Sequence, residues 1–208
     1  MKRVVILGSG AAAVPVIDGF QNSDRYEVVG CIADDTDPSR LVLGVPIIGT
    51  MDRIESLRDE GLAAVIGVGG WTNNRARRRL FERALAAGVE LVSDVHPSAV
   101  VSPSARLGVG CLVAEGVVIQ GGVVLGSDVL VSPLTSIGHQ STIGDHCFLS
   151  TGVSIGGNVR IGPDVMVAMG AVIVSRVTVG AGALIAAGAV VVDDVPARTV
   201  VRRLPRNH

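Results

Sequence analysis

Residues 101–196 divide without remainder into sixteen blocks of six: VSPSAR LGVGCL VAEGVV IQGGVV LGSDVL VSPLTS IGHQST IGDHCF LSTGVS IGGNVR IGPDVM VAMGAV IVSRVT VGAGAL IAAGAV VVDDVP. The first residue of every block is Val, Ile or Leu, and the fifth is always Val, Ala, Cys, Ser or Thr. A period of six fits neither the 3.6-residue period of a helix nor the alternation of a single strand. It is the hexapeptide signature of a parallel β-helix. Three blocks complete one triangular coil of about 18 residues, and coils stack at roughly the 4.8 Å spacing of neighbouring strands. Two inward positions per block must fill a narrow prism, which selects small and β-branched side chains. An antiparallel barrel rich in Gly and Val would have no reason to keep a strict period of six throughout.

The rest of the composition agrees with such a prism. Aromatic residues are only 2% of the chain, which leaves little to fill a wide core. With 208 residues there is room for a second domain. The net charge of −1 gives no reason to expect nucleic-acid binding. No uninterrupted apolar run approaches the ~18–20 residues of a membrane span. The chain leads straight into a strand, so no signal peptide is expected. Cys31, Cys111 and Cys147 have no metal or redox spacing, and the last two fall on inward positions. All three are expected to be reduced packing residues in a cytoplasmic protein.

Upstream of the repeat, strand and helix patterns alternate. Strands are expected at 3–8, 26–33, 63–68 and 89–95. Helices are expected from the first turn to about Phe20, over 51–60 and over 73–87, with a short turn-rich stretch at 42–49. This alternation implies a small parallel α/β, Rossmann-like domain over 1–96, followed by the β-helix over 97–208. Gly8-Ser9-Gly10-Ala11-Ala12-Ala13 lies between the first strand and the first helix. A Gly-x-Gly turn there aims backbone N–H groups at a phosphate. Asp34 and Asp35 end the second strand, about where an acidic residue meets a ribose hydroxyl. About 95 residues make one mononucleotide half of a dinucleotide fold, so a nucleotide-linked ligand is favoured over NAD.

Chemistry in the repeat centres on His139 and His146, its only histidines. His139 is third in its block, an outward corner. One coil further on in the same column lies Gly157, whose lack of a side chain leaves room for a thin ligand. A second column, Glu115, Pro133, Thr151, Met169 and Ala187, is mostly small or apolar, as a slot for a pantetheine arm would be. The flat, weakly charged faces of a single coil call for a cover, and a homotrimer with sites at its interfaces would supply it.

The chain resembles the hexapeptide acyltransferases that acetylate nucleotide-linked amino sugars or sialic acids for bacterial surface glycans. The resemblance rests on the Gly-x-Gly turn and on Gly67-Val68-Gly69 with Asn74 and Arg75 beyond it. It rests further on His96-Pro97-Ser98-Ala99 and on Ile137-Gly138-His139 followed by Ile143-Gly144-Asp145. It implies a left-handed coil, a trimer, a nucleotide-sugar-binding N-terminal domain and acetyl-CoA bound between neighbouring coils. It implies His139 as general base, Gly157 as main-chain oxyanion donor, and acetyl-CoA contacts at Phe148, Gly157, Met169 and Ala187. Gly8, Ser9, Gly10, Asp34, Asp35 and Gly69 are then expected at the sugar nucleotide, with no metal.

Three positions depart from the family pattern. Gln140 stands where an acidic residue usually follows the base, so no carboxylate raises the imidazole's basicity. Ala11-Ala12-Ala13 replaces a turn that usually carries His or Lys. Arg202-Arg203-Leu204-Pro205-Arg206 replaces the usual Gly-x-Pro-Ala-basic ending. The expected reaction is N-acetylation of a nucleotide-linked amino sugar by acetyl-CoA. Alternatives are O-acetylation of a sialic acid-type sugar and a non-catalytic nucleotide-sugar or CoA-binding protein. A trimeric zinc lyase on this coil would need about three imidazoles, whereas the repeat has two, seven apart and on different faces.

Overall fold

The computed structural model describes residues 1–34, 39–69 and 74–202. The chain forms two compact units, Met1–Val92 and Ser93–His208. The division falls four residues before the expected one, because Asp94–Val95 pairs with Leu112–Val113 as the first strand of the coil.

In the first unit, strands β1 (Lys2–Leu7), β2 (Tyr26–Ile32), β3 (Leu41–Val42), β4 (Val45–Gly49) and β5 (Ala63–Ile66) form one sheet. Their order is β3-β4-β2-β1-β5. The β1, β2, β4 and β5 pairings are parallel, while β3 and β4 form an antiparallel hairpin. Both hairpin-turn residues, Leu43 (φ 47°) and Gly44 (φ 79°), lie in the left-handed region that such tight turns require. The sheet is therefore mixed at one edge rather than wholly parallel.

Helix α1 (Ala13–Gln21) tolerates Pro15 because that residue sits in its first turn, where the missing N–H is not needed. Helix α2 runs over Asn74–Ala86. The helix expected at 51–60 is only a 3₁₀ helix over Met51–Ser56. The strand expected at 89–95 is divided: Leu91 bridges Ala64 in the first unit, and Asp94–Val95 belongs to the coil. Val5, Leu7, Ile32, Ile54, Leu57, Ile66 and Phe81 form the core of this unit.

In the second unit the repeat becomes a parallel β-helix with three faces. Strands one coil apart pair in parallel with a shift of 18, as Val118 with Ser136 and Phe148 with Met166. The first face stacks strands from Asp94–Val95 through Phe148–Leu149 to Val200–Val201. The second runs from Val100–Val101 to Val190–Val191, and the third from Arg106–Leu107 to Thr178–Val179. The inward Val, Ile and Leu positions are buried from Val113 to Val191.

Polar residues inside the prism are satisfied. Thr135 Oγ1 donates to the Ser150 carbonyl (2.9 Å) and Ser141 Oγ to the Gly156 carbonyl (2.9 Å). Cys111 and Cys147 make the same kind of bond through sulfur, to the Gly126 and Gly162 carbonyls. At the corners, Gly126, Gly138, Gly144 and Gly156 have no room for a Cβ, which would meet the backbone of the next coil at 2.5–2.7 Å. The period slips once: Leu184 pairs with Val200, so the last turn spans 16 residues instead of 18.

Candidate active site

The three corners of the coil carry different chemistry. The corner between the second and third faces holds Gly121, His139, Gly157 and Ser175 in one column. Backbone bonds from Gln140 N to Gly121 O (2.9 Å), Asn158 N to His139 O (2.8 Å) and Arg176 N to Gly157 O (3.0 Å) fix the stacking. The corner between the first and second faces holds Glu115, Pro133, Thr151, Met169 and Ala187, tied by the same kind of bonds. The third corner holds Asp128, His146 and Asp164.

At the first of these corners His139 is exposed and Gly157 buried beneath it. A Cβ on Gly157 would stand 2.6 Å from His139 Nε2 and 2.8 Å from Cε1. The imidazole thus lies on the bare backbone of the next coil, and glycine is what lets it lie there. Gln120 Oε1 accepts the backbone N–H of His139 (2.9 Å), so the loop bearing the ring is anchored from the coil before.

His139 Nδ1 lies 3.3 Å from Gln140 Oε1. With Nδ1–H donating to that carbonyl oxygen, Nε2 keeps its lone pair and faces Gly157. An amide can fix this tautomer as a carboxylate does, but brings no charge to stabilise the imidazolium. The backbone N–H of Gly157 is occupied by Ser175 Oγ at 3.1 Å.

Of the expected acetyl-CoA contacts, Gly157 lies against His139, while the other three are not brought to it within one chain. Met169, 61% exposed, and Ala187 occupy the neighbouring corner, while half-buried Phe148 lies on the first face. His146 sits on the third corner, with Nδ1 2.9 Å from Asp128 Oδ2 and Asp128 wholly buried. It ties successive coils together, so its replacement is a test of stability as well as of chemistry. Among the described residues no group of three or more His, Cys, Asp and Glu could hold a metal ion. Burial pushes the Cys147 thiol up to about 12 and Cys31 up to about 11, so neither offers a thiolate nucleophile near neutral pH.

In the first unit the Gly8–Gly10 turn connects β1 to α1. Gly8 (φ 122°) is demanded by the fold: a Cβ there would meet Val68 Cγ2 at 2.7 Å and the Gly67 carbonyl at 3.0 Å. Gly10 is different, since a Cβ there meets nothing within 4 Å. Among the described residues, the N–H groups of Ser9, Gly10, Ala11 and Ala12 have no protein acceptor. They are the donors that an anion at this helix start would use.

Exposed Asp34 accepts the Met51 N–H at 3.3 Å. Gly69 follows β5 on the loop leading toward α2, and Asp35 lies outside the described residues. So do Arg203 and Arg206 of the tail.

Two arginines at this turn were not foreseen. Arg40 Nη2 donates to the Ser9 carbonyl at 3.0 Å, bringing a guanidinium to a turn that otherwise reads Ala11-Ala12-Ala13. Arg77, 2% exposed on α2, donates to the Ile66 and Val68 carbonyls at 3.1 and 3.3 Å. It braces the loop on which Gly8 packs. Neither residue has a spacing that marks it; Arg77 is one of several arginines on a basic helix.

Residues 3–84 match the PglD N-terminal domain family, and residues 158–193 match the bacterial transferase hexapeptide (six repeats) family. Among solved structures, the chain is similar to PerB from Caulobacter crescentus in complex with CoA and GDP-perosamine. Identity is 34% and the TM-score 0.87, over 96% of this chain and 93% of that one. It is similar to the acetyltransferase domain of PglB from Neisseria gonorrhoeae FA1090 in complex with acetyl coenzyme A, at 32% identity and TM-score 0.84. That match covers 96% of this chain and 95% of the other. A histidine-to-asparagine variant of perosamine N-acetyltransferase from Caulobacter crescentus, with CoA and GDP-perosamine, matches at 33% identity and TM-score 0.76, covering 99% and 95%. The left-handed sense of the coil goes with these likenesses.

Proposed function

The chain belongs to the hexapeptide-repeat nucleotide-sugar N-acetyltransferases, and from that premise we propose that it moves the acetyl group of acetyl-CoA to the amino group of a nucleotide-linked amino sugar. The observation that carries this reading to particular residues is the His139 ring lying over Gly157, with Nε2 directed at the bare backbone. That leaves a base beside a strip of coil surface narrow enough for a thioester.

In the proposed step the amine nitrogen attacks the thioester carbonyl carbon. A C–N bond forms and the carbonyl π pair moves to oxygen. His139 Nε2 takes the proton from nitrogen while Gln140 holds Nδ1–H. The carbonyl then re-forms, the C–S bond breaks, and the CoA thiolate leaves with the proton that the imidazolium returns. The buried, high-pKa Cys147 supports direct transfer without an acyl-enzyme. Backbone N–H donation at Gly157 stabilises charge on the oxygen, which takes the place that Ser175 Oγ holds at 3.1 Å in the ligand-free chain.

The sugar nucleotide is assigned to the Gly8–Gly10 turn together with Asp34, Gly69 and, from the sequence alone, Asp35. Because Gly10 faces open space, Gly10→Val fits the fold and obstructs only what lies over the turn. Titration calorimetry is expected to show weaker nucleotide-sugar binding, unchanged acetyl-CoA binding and a melting temperature close to the parent's. Equal loss of both ligands would refute the division of the two sites between the two units.

Acetyl-CoA is assigned to Phe148, Gly157, Met169 and Ala187. One chain places Met169 and Ala187 a corner away from His139, and in a homotrimer they would meet it across an interface. Beyond Asp94 at its head, the outward column Leu112, Leu130, Phe148, Met166 and Leu184 on the first face is apolar, as a face covered by a neighbour would be. Sedimentation is expected to give a trimer at micromolar concentration; a stable monomer that still turns over would contradict this.

Three buried cysteines, none in a disulfide, support a reducing compartment, the cytoplasm. Among the described residues no helix is long and apolar enough to cross a membrane.

A further inference from the structure

We infer that the acceptor sugar lies over Gly121, one coil before His139, with the Gln120 side-chain amide donating to a hydroxyl that neighbours the attacking amine. This rests on the acetyl-transfer reading above and deepens it. Gln120 is exposed, and its Oε1 accepts the backbone N–H of His139 at 2.9 Å. That bond fixes which way the amide faces, because a backbone N–H needs an oxygen and not a second nitrogen donor. The NH₂ group is therefore turned away from the His139 backbone, with two N–H donors to give. Among the described residues no protein acceptor takes either of them. A sugar hydroxyl accepts such a donor.

Gly121 gives the sugar room. A Cβ there would meet nothing closer than Ser104 Oγ at 3.4 Å and Ser102 Oγ at 3.7 Å, and its φ is outside the left-handed region. Packing does not demand this glycine, in contrast to Gly138 and Gly156, where a Cβ would meet backbone at 2.5 Å. The ground below it is polar, since the Ser102 and Ser104 hydroxyls lie there 3.1 Å apart. On the other side of His139 the thioester takes the Gly157 position, so the body of the acceptor extends over the second bare glycine of the column. One coil step of about 4.8 Å is within the reach of a sugar ring. The amine can then stand at Nε2 while the hydroxyl beside it faces Gln120. The acceptor selected is an amino sugar with a free hydroxyl on the carbon next to the one bearing the amine.

The test is steady-state kinetics of the full-length parent, Gln120→Ala and Gly121→Met with acetyl-CoA and two nucleotide-linked amino sugars. One acceptor carries the hydroxyl next to the amine, and its counterpart is deoxy at that carbon. The parent is expected to favour the hydroxyl-bearing acceptor about tenfold in kcat/KM, as one hydrogen bond implies. Gln120→Ala should bring that ratio to about one. Losing the anchor of the His139 loop slows both acceptors alike, so the ratio isolates the sugar contact. Gly121→Met fits the coil, because Met169 holds the same place in its own block. It is expected to raise KM for the sugar nucleotide severalfold, with KM for acetyl-CoA and the melting temperature close to the parent's. A parent indifferent to the hydroxyl, or a Gln120→Ala ratio within about twofold of the parent's, would overturn the inference. So would Gly121→Met with an unchanged KM for the sugar nucleotide. In each of these cases acetyl transfer itself stands. If the parent acetylates neither acceptor, the acetyl-transfer reading falls as well.

Discussion

His139→Asn is expected to bind both substrates as the parent does and to turn over ~10²–10⁴-fold more slowly, the usual span for loss of a general base. Asparagine occupies similar space near the ring's Nδ1 and removes the proton acceptor at Nε2. The backbone bonds that hold this corner, from His139 N–H to Gln120 and from Asn158 N–H to the His139 carbonyl, do not involve the imidazole. The fold should therefore persist, and stopped-assay kinetics beside binding calorimetry will separate chemistry from affinity.

Gln140→Glu extends the same prediction. A carboxylate beside Nδ1 favours the imidazolium and so raises the ring's basicity. A base works only when neutral, so raising its pKa moves the acidic limb of the rate profile to higher pH. An unshifted limb would mean that the side chain at 140 does not meet the ring that does the chemistry. A His139→Asn enzyme as fast as the parent would place the base elsewhere. His146→Asn is a comparison with its own signature: it breaks the bond to buried Asp128 and should lower the melting temperature first.

Gly157→Ala is expected to lower kcat about 10²-fold while the melting temperature stays near the parent's. The backbone at 157 is not in the left-handed region, so alanine brings no backbone strain of that kind. What it meets is the ring, with 2.6 Å to Nε2 and 2.8 Å to Cε1, well inside contact distance. The side chain able to give way is His139 itself. Displacing a catalytic group by about 1 Å can cost about 10²-fold. Gly138→Ala is the contrast: there the Cβ meets Gly156 carbonyl carbon at 2.5 Å and Gly157 nitrogen at 2.6 Å, both backbone, so the coil should suffer. If Gly157→Ala destabilises as much as Gly138→Ala and leaves kcat of the folded fraction intact, the contact is only packing.

The coil was legible because each inward position is a separate choice among a few side chains, and sixteen successive choices agree. Its beginning was readable too: Val95 lies six before Val101 and Ala99 four after Val95, an on-register block hidden by the strand-like look of 89–95. The shortened last turn was not readable, because Val195 still falls on an inward position although the pairing has moved to Leu184 with Val200. The β3–β4 hairpin was missed since its turn is Leu43-Gly44, without the Asn or Asp that usually marks positive φ.

The column logic placed His139 over Gly157, because residues 18 apart stack. It could not reveal that Ser175 occupies the Gly157 N–H, which depends on a side-chain rotamer. Arg40 and Arg77 reach the Gly8 turn by long-range packing that no local spacing encodes.

Every role proposed for His139, Gln140 and Gly157 depends on the transfer of an acetyl group to a sugar nitrogen. The most direct measurement is to incubate the full chain with isotope-labelled acetyl-CoA and a panel of nucleotide-linked amino sugars, with their hydroxyl-bearing counterparts alongside, and to analyse products by mass spectrometry. One labelled acetyl group is expected on an amino-sugar nucleotide, retained after mild hydroxylamine treatment because it is an amide, and none on the hydroxyl counterparts. Label that hydroxylamine removes as an ester, or bound ligands with no labelled product from any acceptor, would contradict it.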